Sequence, residues 1–356
     1  MDSFQADEEL PENLSISELI KQLREARNDR DQWHTKARLS SNQLQRILRS
    51  PSWKITKPFR IINLIVWKFN PQLHDKFDDL WKMNSSGPTV WQMIGNQVNL
   101  ETSNADLESQ RIAVLAHWSD SSQVSSSLNA LIDELLDNSY EIVLVSACES
   151  PKELQFENGQ EKKITILRKP NYGYDFGSWS VAFSFFPKIF EASEVLVLND
   201  SCAGPFSSMR HLLQEMSKSP YHITGVTDSA QIRYHIQSYM MHFKNGSLDN
   251  EAMRKFWSEI YSQDDKKAVI QAYEIGLTSV AQSNGMYVGA IFPWNLVTDY
   301  WMNPSISGAK RLLELGFPFL KREFIRRSSK KELIQIRNSI VNRFKISAEK
   351  TQKLLS

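Results

Sequence analysis

Val195-Leu196-Val197-Leu198 is an unbroken apolar run that stops abruptly at Asn199-Asp200-Ser201-Cys202-Ala203-Gly204-Pro205. Consecutive β-formers ended by a polar turn bearing glycine and proline read as a buried strand with a loop at its carboxyl end. The same unit recurs upstream. Ile112-Ala113-Val114-Leu115-Ala116 runs into His117-Trp118-Ser119-Asp120, Glu141 to Ser146 forms a second run, and Ile164-Thr165-Ile166-Leu167 leads to Pro170-Asn171-Tyr172-Gly173-Tyr174-Asp175-Phe176-Gly177. Between the runs, Ser125 to Leu136 places Leu128, Leu131, Ile132 and Leu135 on one helical face. Phe183 to Phe190 and Met209 to Met216 also read as helices, with Pro187 a point of interruption. Strands alternating with helices imply βαβ units and a mostly parallel sheet, α/β in class. Helices covering both faces of such a sheet account for runs that are apolar without alternation.

Composition is consistent with this. Of 356 residues, 41% are hydrophobic and 23% charged, enough apolar material for a sizeable core. The net charge of +1 gives no reason to expect a nucleic-acid partner. The two cysteines, Cys148 and Cys202, are far apart, which argues against a disulfide framework and suits a cytoplasmic protein with reduced thiols. The chain opens Met1-Asp2 and continues acidic with no apolar leader, so a cytoplasmic location is expected.

Four regions follow. Residues 1–50 hold an acidic tail and, after the capping-box pattern Ser15-Ile16-Ser17-Glu18, a helix with coiled-coil-like spacing (Ile16, Leu19, Leu23, Ala26). Self-association through this helix is one expectation; docking on the chain's own domain is the other. Residues 51–110 read as a basic aromatic segment and a linker, the latter over 84–110. From 41 to 70 there are six basic residues and no acidic ones, with Trp53, Phe59, Trp67 and Phe69 interleaved. That mixture suits an anionic membrane surface; a basic linker that packs its tryptophans on the protein is the alternative. Residues 111–327 form the α/β domain, and 328–356 a basic helix whose apolar side would be Leu333, Ile336, Ile340 and Phe344.

In an open parallel sheet, ligands bind beyond the carboxyl ends of the strands. The phosphate-loop motif is absent, as are G-x-G-x-x-G after the first run and G-x-S-x-G, so ATPase, dinucleotide-binding and α/β-hydrolase readings have no support. Asp200 stands at a strand end, where a carboxylate can hold a hard cation bridging a diphosphate, with Asn199 and Ser201 as neutral oxygen donors. A turn or capping role is the plainer alternative. His235, Gln237, Ser238 and Tyr239 lie within five residues. On a strand, His235, Gln237 and Tyr239 would share one face, on a helix His235, Ser238 and Tyr239, and either could line an acceptor groove; a buried, satisfied histidine is the alternative. Trp179 is read either as a stacking platform or as core.

Taken together these stretches resemble the rhamnan synthesis protein F family of bacterial polysaccharide assembly. The resemblance rests on Asn171, Gly173, Asp175, Gly177 and Trp179 at alternate positions, and on Leu198-Asn199-Asp200-Ser201 with Gly204-Pro205. It continues through Gly225, Thr227-Asp228-Ser229, His235, Gln237-Ser238-Tyr239, Tyr273-Glu274-Ile275-Gly276-Leu277-Thr278 and Gly316 to Glu323, covering roughly 111–327. It implies a GT-A-like (Rossmann-like) fold, a nucleotide-sugar donor and a growing, lipid-linked glycan acceptor, with rhamnose one candidate sugar. Asn171, Gly173, Asp175, Asn199, Asp200 and Ser201 would then bind donor. Glu274 would be the base of an inverting transfer, with Asp228 its competitor. Related enzymes carry two aspartates one residue apart where this chain has only Asp200, so a Mg²⁺ or Mn²⁺ requirement stays open. That departure also keeps a non-catalytic sugar-nucleotide or glycan-binding protein, or a scaffold, as rivals.

Overall fold

The computed structural model describes residues 87–103, 107–263, 265–299 and 302–355. They belong to one of the chain's two compact units, Phe69–Ser356. The expected coiled-coil helix and the basic aromatic segment lie outside the described residues.

The strands, in chain order, are β1 (Asn99–Thr102), β2 (Arg111–His117), β3 (Glu141–Ser146), β4 (Thr165–Arg168), β5 (Glu194–Asn199), β6 (Cys202–Ala203), β7 (Ile223–Ser229), β8 (His235–Ile236), β9 (Met240–Lys244), β10 (Val288–Phe292) and β11 (Leu320–Lys321). The main sheet runs β1-β4-β3-β2-β5-β9-β7-β10, with β8 added to β7. β2, β3, β4, β5, β7 and β10 point the same way; β9 is inserted antiparallel between β5 and β7, and β1 is antiparallel on the edge.

Successive side chains of a strand face opposite sides of the sheet. Accordingly Ile112, Val114, Val143, Val145, Val195 and Val197 enter one core, while Ala113, Leu115, Ile142, Leu144, Leu196 and Leu198 enter the other. The second core is closed by Leu128, Leu131, Ile132 and Leu135 from the helix Ser126–Asp137, one residue from its expected position. The first is closed by Phe176, Trp179 and Phe183 with Trp257, where the rings of Phe176 and Trp257 stack at 5.7 Å. Trp179 is fully buried and its Nε1 donates to Leu198 O at 3.0 Å, so it is a core residue that also satisfies a strand-end carbonyl.

Three stretches differ from the sequence reading. The helix expected over Phe183–Phe190 is instead Tyr174–Phe185, followed by a 3₁₀ segment Pro187–Glu191. Proline's missing N–H ends the first helix. Within 84–110, read as linker, Val90–Ile94 is a helix closed by a Thr89–Gln92 capping box, and β1 pairs with β4. The C-terminal helix exists as Lys330–Phe344, but Ile336 and Ile340 are buried with Ala203, Phe206, Leu313 and Leu354. Ile336 and Ile340 are thus covered by this chain, while Ile334 on the same helix is 62% exposed. Cys148 and Cys202 are both free thiols. Among the described residues no helix is long and apolar enough to cross a membrane.

Candidate functional site

Register aligns His117 with Ser146, Ser146 with Arg168, and Ala116 with Asn199, so four strand ends share one rim. Beyond β4, Lys169 is buried and its Nζ donates to Pro170 O (3.0 Å) and Tyr172 O (2.8 Å), fixing the turn. Burial lowers its pKa to about 8, with the charge of Asp175 acting in the opposite sense. Gly173 sits at φ +84, and a Cβ there would meet Val90 Cγ2 at 2.8 Å. Glycine therefore lets the chain turn into the helix beginning at Tyr174 against Val90.

That turn puts Asp175 in the helix's first turn, where Asn199 Nδ2 donates to its Oδ2 at 2.8 Å. Asn199 Oδ1 accepts from Ser201 N at 3.2 Å and from Ser201 Oγ. Ser201 Oγ in turn accepts from Lys321 Nζ at 2.7 Å. Lys321 arrives because β11 pairs antiparallel with β6, Lys321 opposite Cys202. Arg322 N also donates to Ser201 O at 2.9 Å. The strands fit because Gly204, at φ +125, lacks a Cβ that would lie 2.6 Å from Pro318 O. Burial raises the pKa of Asp175, and the nearby Lys321 ammonium opposes the rise.

Asp200 is half-buried, with Oδ2 3.9 Å from His117 Nε2. Burial, and then Asp175's charge, push its carboxyl up to about 7 against the pull of Arg322. Burial, then the charge of Arg168, push His117 down to about 4, and its Nδ1 lies 3.0 Å from Ser146 Oγ. The imidazole is thus neutral near pH 7, and the contact is polar rather than ionic.

Asp175, Asn199, Ser201 and Lys321 line a cleft of ≈ 740 Å³, open to solvent, that Gln237, Ser238, Tyr239 and Glu274 also line. Glu274 lies in a π-helical turn, Ile270–Ile275, a geometry frequent at functional sites. Its Oε2 accepts from Ser238 N at 3.2 Å and from Ser238 Oγ, and its Oε1 lies 3.4 Å from His235 Nε2. Burial works to raise its pKa, but the hydrogen bond and charge of His235, with Ser238, bring it below the usual value. Burial works to lower His235, and Glu274 raises it. His235 Nδ1 is held 2.8 Å from Arg233 O. Tyr239 OH lies 2.9 Å from Thr227 Oγ1, which donates to Gln237 Oε1 at 2.8 Å, and Gln237 Nε2 donates to Asn303 Oδ1 at 3.1 Å.

Of the residues nominated from sequence, Asp175, Asn199, Ser201, Gln237, Tyr239 and Glu274 therefore line one cleft. Asp200 lies between two lining residues, and His235 stands behind Glu274. Asn171 sits apart, donating to Glu149 Oε1 at 3.2 Å, the same oxygen that Trp118 Nε1 reaches at 3.3 Å. Asp228 is off the cleft lining: its Oδ1 accepts from Trp294 N at 2.6 Å, at the start of the helix Trp294–Val297. Burial raises its pKa to about 6, against that N–H. Sequence reasoning gave no role to Lys321 or Lys266, which also line the cleft. Lys321 falls within the Gly316–Glu323 stretch quoted above, but nothing local signals its pairing with β6.

Asp200 feels the negative charge of Asp175 and the positive charge of Arg322, while Lys321 donates to the neighbouring Ser201. Among the described residues no three His, Cys, Asp or Glu side chains group to share a metal ion. Two carboxylates, Asp175 already accepting from Asn199 and Asp200 beside Arg322, are a thin donor set for Mg²⁺ or Mn²⁺, which favour several oxygen ligands. These residues do not fit a divalent cation.

A sequence profile described as rhamnan synthesis protein F matches residues 142–348. The chain belongs to the rhamnan synthesis protein F family. The match takes in every cleft-lining residue named above, whereas His117 and Trp118 precede it. A curated relative, virulence protein VirA of Vibrio anguillarum, is 27% identical over 228 residues, covering 54% of this chain and 71% of VirA. Protein y4gN of Sinorhizobium fredii is 22% identical over 243 residues, covering 66% of this chain and 62% of y4gN. Among solved structures, a glycosyltransferase involved in glycosylation of the major capsid of PBCV-1 aligns over 66% of this chain and 98% of its own, with TM-score 0.32 and 11% identity. A glucose-1-phosphate thymidylyltransferase, so described as putative, from Bacillus anthracis aligns over 50% and 85%, with TM-score 0.30 and 8% identity. At such TM-scores neither alignment bears on the site.

Proposed function

We propose that this chain is an inverting glycosyltransferase of GT-A-like fold that moves a sugar from a nucleotide-sugar donor to a growing bacterial polysaccharide. The observation that carries the reading is the single cleft shared by Glu274 and by the strand-end set Asp175, Asn199, Ser201 and Lys321. Family membership supports a place in polysaccharide synthesis.

The reaction is one displacement. An acceptor hydroxyl attacks the anomeric carbon, forming the new glycosidic bond. Its proton passes to Glu274, whose carboxylate His235 and Ser238 orient. The bond from the anomeric carbon to the donor phosphate oxygen breaks, its electron pair leaving with the nucleoside diphosphate. Gln237 and Tyr239 line the cleft for the acceptor, and Asn199 and Ser201 line it for the donor. A lipid-linked acceptor at the cytoplasmic face of the inner membrane belongs to the same proposal.

The test is transfer or hydrolysis with uridine, guanosine and thymidine diphosphate sugars, comparing the natural protein with Glu274→Gln. Turnover lost in the variant with donor binding kept supports the reading. Equal turnover in both proteins refutes the base assignment. Donor binding with no turnover from any donor and acceptor favours a sugar-nucleotide-binding protein, to which the occupied hydrogen bonds of Glu274 already lend some support.

A further inference from the structure

Lys321 is half-buried in the cleft wall, yet among the described residues no carboxylate oxygen lies within 4.0 Å of its ammonium. A cation removed from water without an anionic partner is costly unless something else compensates it. Part of the compensation is internal. Nζ donates to Ser201 Oγ at 2.7 Å and lies 4.7 Å from the centroid of the Tyr239 ring, whose face attracts a cation without consuming an N–H. An ammonium has three N–H donors, and one is spent on Ser201. Lys266, exposed on the helix Lys266–Val269, lines the same cleft and is likewise without a carboxylate within 4.0 Å among the described residues. Of the acidic residues on the lining, Glu323 is engaged with Arg327, Glu274 with His235 and Ser238, and Asp175 accepts from Asn199 and acts on the two lysines through charge alone, beyond 4.0 Å.

The position of Lys321 is built. β11 is two residues long and is held to β6 by the Phe206 N to Pro318 O bond (2.8 Å), by Arg322 N to Ser201 O (2.9 Å), and by the close approach at Gly204. This small sheet delivers one ammonium to the loop after β5, 120 residues away in sequence, where the sequence resemblance would have placed a cation-binding aspartate pair.

Resting on the glycosyltransferase reading, we propose that Lys321, seconded by Lys266, supplies the positive charge that holds the donor diphosphate, so that binding and transfer proceed without a divalent cation. As the anomeric carbon–oxygen bond breaks, negative charge grows on the departing phosphate oxygen, and a Lys321 N–H donates to it. No proton need be transferred: the acceptor's proton goes to Glu274 and the leaving group departs as the anion. A charge-assisted hydrogen bond of this kind strengthens as charge develops.

The experiment uses the full chain treated with EDTA, titrated calorimetrically with the diphosphates and monophosphates of uridine, guanosine and thymidine. Binding of at least one diphosphate should survive EDTA. Lys321→Met should weaken that diphosphate more than tenfold while changing the monophosphate far less. Lys321→Gln keeps a donor for Ser201 but removes the charge, and should behave like Lys321→Met. Lys321→Arg should recover most of the affinity. Where transfer is measurable, losing this donor should cost about 10²–10³ in turnover. Binding abolished by EDTA and restored by Mn²⁺ overturns the inference and leaves the glycosyltransferase reading standing. Equal weakening of monophosphate and diphosphate in Lys321→Gln also overturns it, leaving only a structural role. If no diphosphate binds the natural protein with or without Mn²⁺, the glycosyltransferase reading fails first and this inference with it.

Discussion

His235 Nε2 lies 3.4 Å from Glu274 Oε1, so the carboxylate assigned as base shares its proton affinity with an imidazole behind it. Burial opposes the charge on Glu274, but His235 and Ser238 hold its pKa below the usual carboxylate value; Glu274 in turn raises His235. The pair's stabilisation is therefore fully present between the unfolded carboxylate value (about 4.3) and the unfolded imidazole value (about 6.5). Its stabilisation is lost on the acid side as Glu274 protonates and on the alkaline side as His235 deprotonates. His235→Asn should move the acid limb of kcat/KM toward higher pH, since Glu274 loses its main stabilising partner while staying buried. A pH profile settles this; an unmoved acid limb with lowered activity would mean that His235 only shapes the fold.

Glu274 and Asp228 should separate cleanly under mutation. Glu274→Gln keeps the side chain's size and its acceptor toward Ser238, yet cannot take a proton, so turnover should fall about 10²–10⁴-fold with donor affinity nearly unchanged. Asp228→Ala removes the acceptor of the 2.6 Å bond from Trp294 N. Losing the acceptor of this part-buried N–H costs less than the ~1–3 kcal/mol of a fully buried one. That loss should appear in denaturant unfolding, while kcat falls far less than in Glu274→Gln. The opposite ranking of turnover would exchange the roles of the two carboxylates.

The distribution of legible and illegible features has a physical basis. β2 to β5 could be read because both sheet faces are covered, so each run is apolar throughout and ends at a polar turn. The helix Tyr174–Phe185 lacked an amphipathic signature: Phe176, Trp179, Val181, Ala182 and Phe183 are all buried, and no polar face marks its period. Strand β9, Met240–Lys244, carries the fully buried His242 and lies antiparallel between two parallel strands, an arrangement no local pattern encodes. Asn199, Ser201 and Glu274, nominated for their chemistry and position, come to line the same cleft. Lys321 lines it too but was not nominated, because its place there depends on a pairing of two dipeptides far apart in the chain. Asp228 lies off the cleft lining at the start of a short helix, a placement its local sequence does not distinguish from a position in the cleft.

Away from the cleft, Glu194 at the start of β5 should govern part of the acid stability. Its carboxyl is drawn down to about 2, chiefly by His242, whose Nε2 is 3.5 Å from Oε2; burial opposes this, and Ser217 and Arg111 add to the lowering. At 3.5 Å the His242 contact is long for a hydrogen bond, and we regard it as mainly electrostatic. Because the folded pKa is depressed, Glu194 contributes its stabilisation fully above the unfolded carboxylate value of about 4.3. The contribution fades as pH falls from there toward about 2. Melting temperature should drop through this window, and Glu194→Gln should flatten the drop while lowering stability at neutral pH. Parallel pH curves for the two proteins would show that other carboxylates control acid unfolding.

Gly173 and Val90 should be energetically coupled. At φ +84, any side chain at 173 is strained by about 1–2 kcal/mol, and its Cβ would lie 2.8 Å from Val90 Cγ2. Gly173→Ala should therefore destabilise by more than the backbone strain alone. Val90→Ala removes the clashing methyls but empties part of the core, since Val90 is fully buried. In the double variant the new Cβ occupies space that Val90 has vacated, so the combined loss should be smaller than the sum of the single losses. Denaturant midpoints of the four proteins measure the coupling. Strict additivity would mean that the turn before Tyr174 yields around the added methyl, and that the close approach of these two elements does not constrain residue 173.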